Sequence, residues 1–180
     1  MAPIATTADL RKSGISSREA QRHCTPAGPW QQLLPGVFLT KPSPPTRLDR
    51  LRAVLSFTGP SSAVTGADAL VRQGAVVPLP RHIHVLAGMN ARRAHPSILL
   101  ERTSRPPGVV ERDGLTLVKP ARAALDLARR ETNPRAVVEI LDAVVGARLC
   151  SPGDLLDELR LGSRRGTALV RQALRHLYPT

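Results

Sequence analysis

Ser16, Ser17, Arg18, Gln21 and Arg22 crowd one short stretch of a 180-residue chain. Their chemistry is that of a surface meeting nucleic acid. Guanidinium forks suit phosphate oxygens and guanine edges, and a glutamine amide suits adenine. A few residues on, Gln31-Gln32 adds neutral donors able to reach DNA backbone or bases, and Arg164-Arg165 adds a basic pair far downstream. These nine residues are the candidate DNA contacts.

The elements that must position them are legible from caps and turns. Ser16 with Glu19 has the reciprocal spacing of a capping box, and Thr6 with Asp9 repeats it before Leu10-Arg11-Lys12. Gly14 supplies a left-handed stop, and Ile15 is the apolar residue expected to be buried in the turn between the two helices. From Trp30 to Thr40, with Pro35-Gly36 at its middle, the chain reads as a β-hairpin. A short capped helix followed by a hairpin predicts a winged helix-turn-helix over residues 1–41. Pro42-Ser43-Pro44-Pro45 then reads as a semi-rigid linker, 42–46, ahead of a second unit over 47–180.

Charge points the same way. The net charge is +12 and the sequence pI about 11.5, which favours a polyanionic partner through counterion release. Residues 1–45 carry five basic and two acidic side chains, so most of the excess lies in the second unit. Only Lys12, Lys41 and Lys119 are lysines. Arginine suits bidentate contacts, but an Arg-, Ala- and Pro-rich composition is equally what a GC-rich genome imposes. Cys24 and Cys150 form no close-spaced pair, so neither a disulfide framework nor a zinc site is expected. No apolar run approaches the roughly 18 residues of a membrane span, and the N-terminus lacks a signal-peptide pattern. The chain is read as soluble and cytoplasmic.

In the second unit Leu48, Leu51, Val54 and Leu55 recur at helical spacing up to Gly59-Pro60, and Ala67 to Arg72 reads as a short helix. Ile83 to Leu86 and Ile98 to Leu100 read as strands. Val109 to Arg112 and Leu115 to Val118 flank Asp113-Gly114, a type I′ hairpin signature. Pro120 and Asn133-Pro134 open two helices, the second expected to end at Gly146, and Ser151 with Asp154 caps a third. A last helix is predicted from about Gly166 to Leu177. Helices, strands and helices without regular alternation predict an α+β fold.

There is no Gly-x-Ser-x-Gly elbow, no phosphate loop ending in Lys-Ser or Lys-Thr, and no His-Glu-x-x-His. His82 and His84 share a strand face but lack further ligands nearby, so no metal is expected. Glu111, Asp113 and Lys119 resemble a nuclease cluster only in composition, since the hairpin turn accounts for Asp113. Asp126, Glu139 and Asp142 sit among arginines on predicted helices and are read as solvated ion pairs. One Trp, one Tyr and two Phe are too few for a single-strand stacking platform, which favours duplex DNA. The chain is expected to be no enzyme and to need no cofactor.

The order of these pieces resembles the AbiEi-like antitoxin and transcriptional-regulator family of the actinobacterial type. The likeness rests on Gly14-Ile15-Ser16 leading into an Arg-rich helix, on Trp30 to Thr40, and on Val64-Thr65-Gly66-Ala67-Asp68-Ala69-Leu70. Further along it rests on Arg112 to Leu115, Pro120 to Ala128, and Arg165 to Ala168. The resemblance implies an N-terminal winged helix that binds operator DNA and an α+β domain opposing a nucleotidyltransferase-like toxin. Against the family pattern the winged helix is partial, with only five residues ahead of Thr6. The chain is expected to lack the very-short-patch-repair-like endonuclease domain of many similar chains.

Overall fold

In the computed structural model, which describes residues 3–26, 28–91 and 95–178, the chain is a mixed α+β protein built on two sheets. The first sheet is small. Strand β1 (Ile4–Thr6) leads into helices α1 (Thr7–Lys12) and α2 (Ser17–His23), followed by the hairpin β2 (Gln31–Leu34) and β3 (Val37–Leu39). β3 lies between β1 and β2, antiparallel to both. The hairpin matches the sequence pattern, with Gly36 supplying the positive φ of 72° its turn needs. β1 does not appear in that pattern. Its three residues become a strand because β3 offers them a free edge more than thirty residues away.

Residues 42–46 are irregular, as the prolines predict, but they do not separate two cores. Leu34 and Val37 of the hairpin pack in the same apolar cluster as Leu51, Val54 and Phe57 of α3 (Arg47–Thr58). The Gln31 side chain donates to the Ser43 carbonyl at 2.9 Å and ties the segment back to β2.

The second sheet has five strands in the order β6-β5-β4-β8-β7, made of β4 (Ser62–Val64), β5 (Ile83–Gly88), β6 (Ile98–Thr103), β7 (Val109–Arg112) and β8 (Leu115–Val118). The β7–β8 hairpin turns on Asp113 and Gly114, both at positive φ, as its two-residue signature requires. β4 is the strand that local pattern missed. It is too short to show a period, yet it sits at the centre, antiparallel to β5 and parallel to β8. Helix α4 (Gly66–Gln73) follows it.

The helices α5 (Pro120–Ala128), α6 (Pro134–Gly146), α7 (Pro152–Leu161) and α8 (Ala168–Leu177) complete the chain. Pro120 and Pro134 take first-turn positions and Asn133 caps α6, while Ser151 and Asp154 close a full capping box on α7. Gly146, expected to end α6, stays inside it. The left-handed stop falls on Arg148 at φ 55°, where the Leu149 N–H reaches back to the Val144 carbonyl at 3.1 Å. Gly166, expected to open α8, instead takes a positive φ in the turn before it.

Strand register assigns the helices to opposite faces of this sheet. Ser62 pairs with Ala87, and its hydroxyl lies 2.7 Å from that of Thr58 at the end of α3. The next residue along β5, Leu86, pairs with Glu101, which faces the other way and meets Arg129 and Arg130 at the end of α5. So α3 and the small sheet cover one face, while α5 covers the other with α6 and α7 packed on it and α8 packed on α6.

Candidate nucleic-acid interface

The α1–α2 pair is held by short-range bonds of the kind its sequence predicts. Thr6 and Asp9 form a complete capping box, with the Thr6 hydroxyl donating to Asp9 Oδ2 at 2.6 Å. At the other end the Ile15 N–H reaches the Leu10 carbonyl at 2.9 Å and the Gly14 N–H reaches Arg11 at 3.1 Å, a Schellman closure with Gly14 at φ 80°. Ser16 then accepts from the Glu19 N–H at 3.2 Å, but Glu19 forms no return bond among the described residues. Ile15 is half-buried rather than buried, packed beside a second, smaller core of Ala5, Leu10, Ala20 and Phe38.

That small core decides which way α2 faces. Ala20 is 0 % exposed against it. Ser17, Arg18, Gln21 and Arg22, like Ser16 at the cap, are exposed. Arg18, Gln21 and Arg22 fall at i, i+3 and i+4 and therefore share one outward stripe. Arg11 and Lys12, at the end of α1, are exposed as well, and none of these four cations has an ion-pair partner among the described residues. The loop from α2 to the hairpin is closed by Trp30, whose ring lies 4.6 Å from that of His23 and whose N–H reaches the His23 carbonyl. Gly28 is required there, since a Cβ would stand 2.1 Å from that carbonyl oxygen.

The other expected contacts divide. Gln32 is exposed on β2, next to α2 in the same module, while Gln31 is half-buried and committed to Ser43. Arg164 and Arg165 are exposed in the turn before α8, on the opposite side of the five-stranded sheet from α2. The nine residues thus form two groups rather than one surface.

A third constellation escaped the sequence reading. Asp126, expected at a solvated helix face, is 0 % exposed. It accepts from Arg122 Nε at 2.8 Å, from Arg129, and from the Thr65 hydroxyl at 2.8 Å. Glu158 joins through Arg105 and Arg122, and Glu101 through Arg129 and Arg130. His84 stands 3.2 Å from Glu101. Burial pushes the His84 imidazole below its ordinary range, and the hydrogen bond from His84 holds the Glu101 carboxyl below its own. With Glu101 held as a carboxylate acceptor, the His84 ring nitrogen is the donor between them. The only sequence signal for this cluster is Arg122, Asp126 and Arg129 at i, i+4 and i+7 among alanines small enough to bring α5 close on every side.

Two more of the acids singled out in the sequence are paired. Asp113 is held by Arg72 at 2.5 Å, and Glu139 pairs with Arg135 at 2.9 Å in the open. No group of three His, Cys, Asp or Glu among the described residues could hold a metal ion, and no described helix is long and apolar enough to cross a membrane.

No protein-family model matches the chain, and no curated protein does. Its fold does match a solved structure, that of the Rv2827c protein from Mycobacterium tuberculosis, with a TM-score of 0.60. The match covers 94% of this chain and 72% of that one at 18% identity. The likeness therefore extends through both sheets and the helical layer, and it concerns the fold.

Proposed function

We propose that this chain is a cytoplasmic, non-enzymatic transcriptional regulator of the antitoxin kind that binds duplex DNA, with α2 in the major groove and the β2–β3 hairpin as its wing. One observation carries the reading. Arg18, Gln21 and Arg22 project together, their side chains without an ion-pair or hydrogen-bond partner among the described residues, from a helix whose opposite side is locked to the hairpin sheet through Ala20. A helix held that rigidly, with two guanidinium groups and an amide on its free stripe, suits base-edge and phosphate contacts. Arg11 and Lys12 beside it add phosphate grip, and Gln32 supplies a polar wing.

Fluorescence anisotropy with the DNA upstream of the chain's own start and a scrambled duplex of equal length tests this. The upstream duplex binds more tightly, and Arg18→Ala or Arg22→Ala costs about 1–3 kcal/mol where the side chain meets a base. Equal affinity for both duplexes would remove the regulator reading.

A further inference from the structure

After Glu158 the sequence carries five arginines and no acid. Arg160 is paired with Asp157 at 2.8 Å. Arg164, Arg165, Arg171 and Arg175 have no ion-pair partner among the described residues, and three of them are exposed with Arg171 half-buried.

Their arrangement is built, not scattered. The Thr167 hydroxyl donates to the Arg164 carbonyl at 2.7 Å and accepts from Arg171 Nε at 3.3 Å, so one side chain lines up the turn with the helix behind it. Arg175 stands one turn beyond Arg171 on the same ridge. The opposite side of α8, with Val170, Ala173 and Leu174 buried, is packed on α6. The ridge is therefore held outward, flanked by exposed Gln172 and His176. The acids nearest it on α6 are engaged, Glu139 by Arg135 and Asp142 by the Tyr178 hydroxyl at 3.3 Å.

We infer that this α8 face is a second duplex-binding surface, so that one chain holds two DNA segments at once. The claim rests on the α2 reading for the first segment. A ten-residue helix is about 15 Å long. That length faces several phosphates at their roughly 3.4 Å spacing along each strand, enough for two or three arginine contacts. We assign its grip to phosphates, which makes it independent of sequence. The five-stranded sheet and the helices packed on it lie between α2 and α8, so the two surfaces suit separate duplex segments.

A capture experiment tests it. The full chain is loaded on an immobilised upstream duplex, washed, and offered a fluorescent duplex of unrelated sequence, with sedimentation reporting the oligomeric state. The wild-type chain captures the labelled duplex, and R171Q/R175Q lowers capture about tenfold and the salt slope of that step by about 2. First-duplex affinity and the thermal midpoint stay close to wild type. Capture by R171Q/R175Q at the wild-type level would overturn the inference, since bridging would then come from α2 surfaces of paired chains. A wild-type chain that binds the first duplex and captures no second also overturns it, leaving the α2 reading intact. If R18A/R22A leaves all binding unchanged while R171Q/R175Q abolishes it, α8 is the sole DNA surface and both readings fall.

Discussion

Helices α2 and α5 carry the same vocabulary of arginine, alanine and acid, and they put it to opposite uses. In α2 one alanine is buried and the charged residues face out. In α5, Ala123, Ala124 and Ala128 are all buried and so are Arg122 and Asp126. Small residues on several sides let neighbouring elements close over a helix, and its charges must then satisfy one another inside. A lone small residue seats a helix by one edge and leaves its charges free for a partner. The arginine count of a helix is therefore a poor guide to its role; the distribution of alanine around it is a better one.

Breaking the buried set should have the largest effect. Asp126→Ala strands Arg122 and Arg129 without their shared acceptor, and chemical denaturation should show a loss of about 3–5 kcal/mol. A loss near that of a surface pair would mean the guanidinium groups reach water. Ala20→Leu comes next. Overpacking a position with no exposure should cost about 1–3 kcal/mol and tilt α2, so its binding of the upstream duplex should weaken beyond what the stability loss explains.

Acid sharpens the same comparison at a smaller scale. Burial pushes the His84 imidazole below its ordinary value, so the unfolded chain takes up its proton first and stability falls as pH drops below 6.5. Thermal melts of His84→Gln should lie flatter than wild type over that range. At lower pH Asp49 contributes. Despite opposing burial, hydrogen bonds from Thr46 and Lys41 bring it from 3.8 to about 2, so its stabilisation is present above 3.8 and lost on descending to about 2. Smallest of all is Glu139→Gln, which removes an exposed i, i+4 pair with Arg135 and should cost no more than about 0.5 kcal/mol. The contrast with Asp126→Ala, also an i, i+4 partner of an arginine, measures what burial and two further donors add.

What the sequence disclosed follows from the range of the interactions involved. Caps at Thr6, Ser16, Asn133 and Ser151, the first-turn prolines and the Asp113-Gly114 turn depend on neighbours within a few residues, and all were legible. β1, β4 and the burial of Asp126 depend on partners far along the chain. Thr65 reaches Asp126 across 61 residues, and no local pattern announces it. Of the candidate surface, the α2 stripe could be placed from a capping box and a count of turns. The commitment of Gln31 to Ser43, and the location of Arg164 and Arg165 on the far side of the sheet, required the assembled fold.

The central position of β4 sets an order of events during synthesis. The small sheet, α1 and α2 are all made by Leu39 and share the small core of Ala5, Leu10, Ala20 and Phe38, whereas α3 packs on strands that come later. β4 emerges next, but its parallel neighbour β8 pairs Leu117 with Val64 and arrives more than fifty residues afterwards. Until then both edges of a fully apolar-flanked strand wait for company, first from β5 and last from β8. The N-terminal module is therefore made before the five-stranded sheet can close, and delays in translation between β5 and β8 would leave the central strand without its parallel neighbour.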